Sequence, residues 1–254
     1  MADQDNQIKS TKKTFRILNA LKQHNGATVT DLTDELGLPQ SSVHNYLRTL
    51  KNDGYIVQDS HGQYHIGLRF LDLGGYARKR QSIYEVTKPE IQKLADKTGE
   101  LANLLTEEHG RGIYLNRQSG EQAVKVDSYT GQRVYLHNTA LGKAILARLP
   151  RERTDAILDT HGMPATTDKT ITDRDQLYEE LETIREDGVA FDDQERISGL
   201  RCVAVPIIGQ NDSVKGAISL SGPLSRIGTN RFRTEFPESL KDTVNIVELN
   251  ITYS

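Results

Sequence analysis

One cysteine, Cys202, stands among 254 residues, which excludes both an internal disulfide framework and a zinc site built from several cysteines. Stability has to come from packing. No apolar run approaches the roughly 20 residues that a membrane-crossing helix requires. The opening MADQDNQIKS has neither the basic nor the apolar region of a signal peptide, so a cytoplasmic chain without membrane contact is expected. Short enzyme motifs are missing too: there is no phosphate-cradling GxxxxGK[ST], no HExxH pair, no CxxC, and no identifiable histidine beside Cys202 to serve as its base. Tandem repeats and low-complexity stretches are absent. The expectation is a protein that is not an enzyme and carries no cofactor or metal.

What is present is a soluble composition, 26% charged and 36% hydrophobic, in a length that suits two modest cores better than one. Charge is divided unevenly. Residues 1–80 hold 11 lysines and arginines against 8 acids, and the remainder holds 21 against 27. Phosphate neutralisation needs local positive charge, so the N-terminal part is the better candidate for meeting nucleic acid.

Hydrophobic spacing in that part predicts three helices. The first begins near Ser10 or Thr11, with Ile17, Ala20, Leu21 and His24 on one face, and ends by Gly26. The second runs from about Thr30, taken as its N-cap, to Leu36 before Gly37. The third starts near Ser41; Val43, Leu47 and Leu50 form its buried stripe, which turns Ser41, Ser42, His44, Asn45 and Arg48 toward solvent. Two strands, Tyr55 to Gln58 and Gln63 to Ile66, then flank the turn Asp59 to Gly62. Three helices followed by a β-hairpin is the order of a winged helix-turn-helix over residues 1–67. Ser41 and Ser42 suit phosphate at the helix start, while His44, Asn45 and Arg48 can reach base edges of double-stranded DNA. Each of these residues also fits the polar face of an ordinary surface helix. Lys9, Lys12, Lys13 and Lys51 read equally as phosphate partners or as solvated surface lysines.

A further helix over residues 68–81 carries Phe70, Leu73 and Ala77 on one stripe and Leu68, Leu71 and Gly75 on the next. So broad an apolar surface suits a linker helix packed against its copy in a homodimer; docking on its own winged domain is the other reading.

Residues 82–254 alternate between helix and strand. Strands are expected at Leu101 to Glu107, Ile113 to Gln118, Ala123 to Asp127, Arg133 to Leu136, Cys202 to Ile208 and Val214 to Ser221. Short turns at His109 to Gly112 and Ser119 to Gly120 make the sheet mainly antiparallel, and the class is α+β. Helices are expected through Ile91, Leu94, Ala95 and Thr98, over Ala140 to Leu149, Arg151 to Thr160 and Asp173 to Asp187, and at the C-terminal end.

Three places carry chemistry. Asn138 to Lys143 enters a helix, so the amides of Ala140 and Leu141 have no partner within it and can meet an anion. Asp192 lies in an acidic segment shortly before Cys202. Ser219 and Ser221 project from one face of a strand whose Ile218 and Leu220 point to the other. Together these groups suit a small polar anion that also carries donors for Asp192. Taken singly, each has a plainer reading: a buried small hydrophobe for Cys202, a turn former for Asp192, solvent-facing hydroxyls for the serines.

Four stretches, GLPQSSVHNYLRTLKNDGYI (37–56), TALGKAILA (139–147), DDQERISGLRCVAVPI (192–207) and GAISLSGPLSRI (216–227), resemble the IclR family of transcription regulators in order and spacing. The resemblance extends over nearly the whole chain. It implies a GAF-like C-terminal effector domain, a dimer or a tetramer built of dimers, and control of genes for carbon or aromatic compound catabolism. Effector contacts are implied for Ala140 and Leu141 through their amides and for Asp192, Cys202, Ser219 and Ser221 through their side chains. Asn45 departs from the basic residue that many members carry there, which bears on operator sequence and phosphate anchoring. The function expected is a DNA-binding regulator whose C-terminal domain binds a small organic acid that alters operator binding. The alternatives are a ligand-independent oligomerisation domain and a Cys202 nucleophile.

Overall fold

The computed structural model describes residues 7–126 and 128–253. The chain divides into two compact units, Met1–Ala77 and Arg78–Ser254. In the first, helices α1 (Lys9–Gln23), α2 (Val29–Leu36) and α3 (Gln40–Asn52) precede a hairpin of β1 (Ile56–Gln58) and β2 (Tyr64–Ile66). Ile17, Leu18, Ala20 and Leu21 of α1 bury against Leu32 of α2 and against Val43, Leu47 and Leu50 of α3.

The caps follow local chemistry. Thr28, and not Thr30, caps α2, because only Thr28 stands three residues before an acid. Its N–H donates to Asp31 Oδ2 at 2.8 Å and its hydroxyl accepts from the Asp31 N–H at 3.3 Å. His24 leaves the buried face of α1, lying beyond the helix end, and pairs in the open with Glu35 at 2.9 Å. Within the wing, Ile56 faces Ile66, and Asp59 holds the turn by accepting the N–H groups of His61 and Gln63, both at 2.9 Å. Tyr64 exchanges backbone hydrogen bonds with Ala27, which ties the wing to the α1–α2 connection.

Helix α4 (Arg69–Lys79) follows the wing. Phe70 sets its ring 5.1 Å from that of Tyr55, while Leu68, just before the helix, and Leu71, Leu73 and Tyr76 within it are exposed.

The second unit is built on α5 (Ser82–Thr98), β3 (Leu101–Glu108), β4 (Arg111–Ser119), β5 (Arg133–Val134), α6 (Ala140–Leu146), α7 (Arg151–His161) and α8 (Arg174–Asp187). It continues through β6 (Ala190–Asp193), β7 (Leu200–Ile208), β8 (Val214–Pro223) and α9 (Phe236–Thr252), the last entered through one π-helical turn at Arg231–Glu235. Six strands form one antiparallel sheet in the order β5-β4-β3-β8-β7-β6. Ala102, Leu104, Val203, Val205, Ile218 and Leu220 point to one face and pack with Ile91 and Leu94 of α5 and Phe236, Leu240 and Val244 of α9. On the other face the small residues Ala190, Ala204 and Ala217 let α6 approach closely, with α7 and α8 outside it.

Three expectations need correction here. Residues 123–126 are loop rather than strand, and Asp127 lies outside the described residues. Gln122 and Ala123 spend their N–H groups on Gly99 and Gly120, and Arg226 takes the Gln122 carbonyl, so the Ala-Val-Lys-Val alternation has no strand to pair with. With that strand gone, Ser119 and Gly120 make no hairpin. The edge of β4 is taken by β5 alone, only two residues long, because Leu136 turns inward beneath α6. The acidic segment Phe191 to Glu195, for which no strand is expected, contributes most of the edge strand β6.

Candidate functional site

The α3 residues Ser41, His44, Asn45 and Arg48 lie on its exposed face, with Ser42 half-buried beside them. Burial of Val43, Leu47 and Leu50 fixes that orientation. Arg48 Nη2 reaches Asn45 Oδ1 at 3.5 Å, so the two side chains meet across one helical turn. Lys51 points instead toward the wing, its Nζ donating to Gln58 Oε1 at 2.8 Å. Lys9 and Lys12 are exposed and Lys13 is half-buried.

In the second unit, strand register assembles a cavity. Asp192 on β6 stands opposite Cys202 on β7, Cys202 opposite Ser221 on β8, and Ser221 opposite Leu101 on β3. One row further along, Ala204 faces Ser219, Ser219 faces Asn103, and Asn103 faces Arg117 on β4. Side chains two apart share a face, so these rows bring Asp192, Cys202, Ser221, Ser219 and Asn103 to one surface. Residues up to 118 apart in sequence become neighbours. Helix α6 closes the surface from above, and Ala140, Leu141, Tyr114 and Arg196 join the lining of a small cavity there.

Thr139 caps α6 by accepting the Gly142 N–H at 3.0 Å. Gly142 itself sits on the backbone of Leu136: a Cβ there would stand 2.2 Å from the Leu136 carbonyl oxygen. Only glycine lets the first turn of α6, with Ala140 and Leu141, sit this close to the segment that follows β5.

Asp192 is buried, and its Oδ1 accepts the Glu195 N–H at 2.7 Å. Burial raises its pKa to about 6, against the pull of Lys143 and of the backbone amides. Glu195 is raised to about 7, again by burial, although Lys143 donates to it. The turn carrying both is held from outside by Thr167 and Thr170, whose hydroxyls donate to the Glu195 carbonyl at 3.0 and 2.6 Å. Burial pushes the Cys202 thiol well above its ordinary range. It therefore stays protonated near neutrality, which removes the thiolate that a nucleophile requires.

All six residues named for the effector meet at this one cavity. Beyond these six and Thr139, the cavity is lined by the polar residues Asn103, Tyr114, Ser128 and Arg196, which the sequence did not single out, and by Leu101, Val126 and Leu200. Asn103 and Tyr114 lie on strands that were predicted, and period-two alternation puts Asn103 on the face opposite Ala102 and Leu104. A polar residue inside so apolar a strand was the available signal. Arg196 carried none.

Comparison with known proteins agrees with both units. The family model described as the IclR helix-turn-helix domain matches residues 10–60, and that described as the C-terminal part of the bacterial transcriptional regulator IclR matches residues 76–248. The chain is 35% identical over 247 residues to the "Probable HTH-type transcriptional regulator ArcR" of Halobacterium salinarum, covering 96% of this chain and 94% of that protein. Among solved structures it is similar to IclR of Thermotoga maritima, with 27% identity, a TM-score of 0.79, and coverage of 97% of this chain and 100% of that one. It shares the fold, at 21% identity and a TM-score of 0.82, of an IclR homologue from Microbacterium hydrocarbonoxydans complexed with 4-hydroxybenzoate, covering 97% of this chain and 100% of that one. With a winged helix-turn-helix ahead of a helix-covered antiparallel sheet, and with both family models matched in order, the chain belongs to the IclR family of transcriptional regulators.

Proposed function

We propose that this regulator senses a small organic acid. The ligand occupies the cavity between α6 and the sheet, and its binding changes the affinity of the winged unit for double-stranded operator DNA. Ala140, Leu141, Asp192, Cys202, Ser219 and Ser221 contact the ligand; Ser41, Ser42, His44, Asn45 and Arg48 contact the DNA. The single observation that carries the reading is the convergence of those six residues, drawn from three separate stretches of sequence, on one cavity. The complex of a fold neighbour with 4-hydroxybenzoate supports the class of ligand.

The regulator works as a homodimer, or as a tetramer built of dimers, in the cytoplasm. Exposed Leu68, Leu71, Leu73 and Tyr76 on and before α4 support self-association, because paired readers match half-sites about one DNA turn apart. Among the described residues no helix is long and apolar enough to cross a membrane. The ligand acts through a coupling free energy: it favours one arrangement of the assembly and so alters operator binding.

The test is binding of the purified chain to DNA upstream of its own and neighbouring genes, across a salt series and with small carboxylates added. Selective binding that weakens with salt and shifts with one compound supports the reading. Selective binding that no compound alters favours a C-terminal domain that only assembles the protein. Loss of all sequence selectivity defeats the proposal.

A further inference from the structure

Two arginines that the sequence reading left aside decide which way the hydrogen bonds of the cavity point. Arg196 lines it, and its Nη1 donates to the Tyr114 hydroxyl at 2.8 Å. Tyr114 is buried, and its phenol is pushed up to about 12, so it stays neutral and supplies no counter-charge; Asp192 feels the guanidinium charge without forming an ion pair with it. Among the described residues Arg196 makes no ion pair with a carboxylate. Asp192 lines the same cavity, but its Oδ1 is engaged by the Glu195 N–H.

Arg117 acts at the opposite end of the row. Its Nε donates to Asn103 Oδ1 at 3.2 Å. A guanidinium can only donate, so this contact fixes the Asn103 amide with its oxygen toward Arg117 and its NH₂ toward the serines. Nδ2 then donates to Ser219 Oγ at 3.2 Å and to Ser221 Oγ at 3.4 Å. Both hydroxyls are acceptors in that contact and keep their own protons to give elsewhere. Ser221 has the Cys202 sulfur within reach. Ser219 offers its proton to the cavity.

We propose that Arg196 is the anion-anchoring residue of this cavity, and that Arg117, acting through Asn103, is the positioning residue that makes its serine edge a donor surface, so that the ligand is selected for a carboxylate over its neutral carboxamide. The assignment rests on the sensor reading above and names which group of the acid is recognised, and by what. The ligand carboxylate meets the Arg196 guanidinium and the Ser219 hydroxyl; a hydroxyl or other donor elsewhere on the ligand meets Asp192. A carboxamide of the same shape keeps its carbonyl oxygen for one of these donors, but it sets its NH₂ against the other and brings no charge to the guanidinium. Charge-assisted bonds of this kind carry at least about a tenfold difference in affinity.

The experiment is calorimetric titration of the full chain at neutral pH with small carboxylates, each paired with its carboxamide, 4-hydroxybenzoate with 4-hydroxybenzamide and lactate with lactamide among them. The wild-type chain is expected to prefer the carboxylate at least about tenfold, Arg196→Gln to bring that ratio close to one, and Arg196→Lys to recover part of it. Asn103→Asp keeps the size of the side chain and pairs with Arg117, but it turns the serine protons away from the cavity. It is expected to lower carboxylate affinity at least about tenfold while leaving carboxamide affinity unchanged or improved. Thermal unfolding of each variant without ligand separates loss of fold from loss of selectivity. A carboxylate preference that survives in both Arg196→Gln and Asn103→Asp overturns the assignment and leaves the sensor reading standing. A wild-type chain that binds no member of either series defeats the sensor reading itself.

Discussion

Lys143 Nζ lies 2.5 Å from Glu195 Oε1, with no side-chain surface left to solvent on the lysine. A second carboxylate, Glu180 of α8, meets the same ammonium at 2.5 Å. One cation therefore joins α6, α8 and the turn that follows β6. Removing it strands two carboxylates, one of them buried. Lys143→Met is expected to destabilise the chain by about 3–5 kcal/mol in urea unfolding, with Glu195→Gln costing distinctly less because the amide needs no counter-charge. Equal losses in the two variants would contradict this account.

The raised pKa values of Asp192 and Glu195 make stability depend on pH in a defined direction. Both carboxyls hold protons more tightly folded than unfolded, so their contribution is complete below the ordinary carboxylate range and is lost as pH rises through about 6 and 7. The ligand-free chain should be more stable near pH 5 than near pH 8, with Asp192 accounting for about 1 kcal/mol of the difference. Asp192→Asn should flatten the profile of chemical unfolding against pH, and an unchanged slope would contradict it.

On α3, Arg48 is exposed and meets only Asn45 among the described side chains. Replacement by alanine removes the base contact proposed for it without disturbing the core. Arg48→Ala should weaken binding to the operator by about 1–3 kcal/mol while leaving nonspecific binding and its salt dependence nearly as they were. Fluorescence anisotropy with specific and scrambled duplexes reads both quantities.

Gly142 has no room for a side chain, since a Cβ would stand 2.2 Å from the Leu136 carbonyl oxygen. Gly142→Ala must lift α6 or bend residue 136. An expected cost of about 1–3 kcal/mol should appear as a lower Tm, and ligand binding should weaken with it because Ala140 and Leu141 move.

The exposed apolar groups around α4 predict self-association. Leu68 is 81% and Leu71 70% exposed. Light scattering should give at least twice the chain mass for the wild type, and Leu71→Glu should lower it. A monomeric wild type at micromolar concentration would contradict this.

Much of this fold was legible because hydrophobic spacing and several helix-ending glycines mark the helices. Gly37 in the left-handed region closes α2 as expected, and Val43, Leu47 and Leu50 set the face of α3 through spacing alone. The failures had physical causes. Residues 123–126 alternate like a strand but join no sheet, and alternation cannot reveal whether a segment pairs. Strand β6 was hidden because Asp192 and Asp193 oppose strand propensity, and pairing with β7 overrides it. The cavity was half legible: the serines and Asp192 announce themselves as polar residues in ordered segments. Asn103 and Arg196 reach the site only through a register and a turn that the chain alone does not display.

Strand β8, the last strand in the chain, lies in the middle of the sheet, between β3 and β7. A growing polypeptide therefore cannot close this unit until residue 223 has left the ribosome, and the interval before then exposes two long strand edges with nothing between them. The winged unit is complete in the sequence by residue 77. A chain interrupted between these points would keep the helix-turn-helix unit without the second unit, so on the proposed function a premature stop is expected to yield a regulator deaf to its signal rather than a silent one.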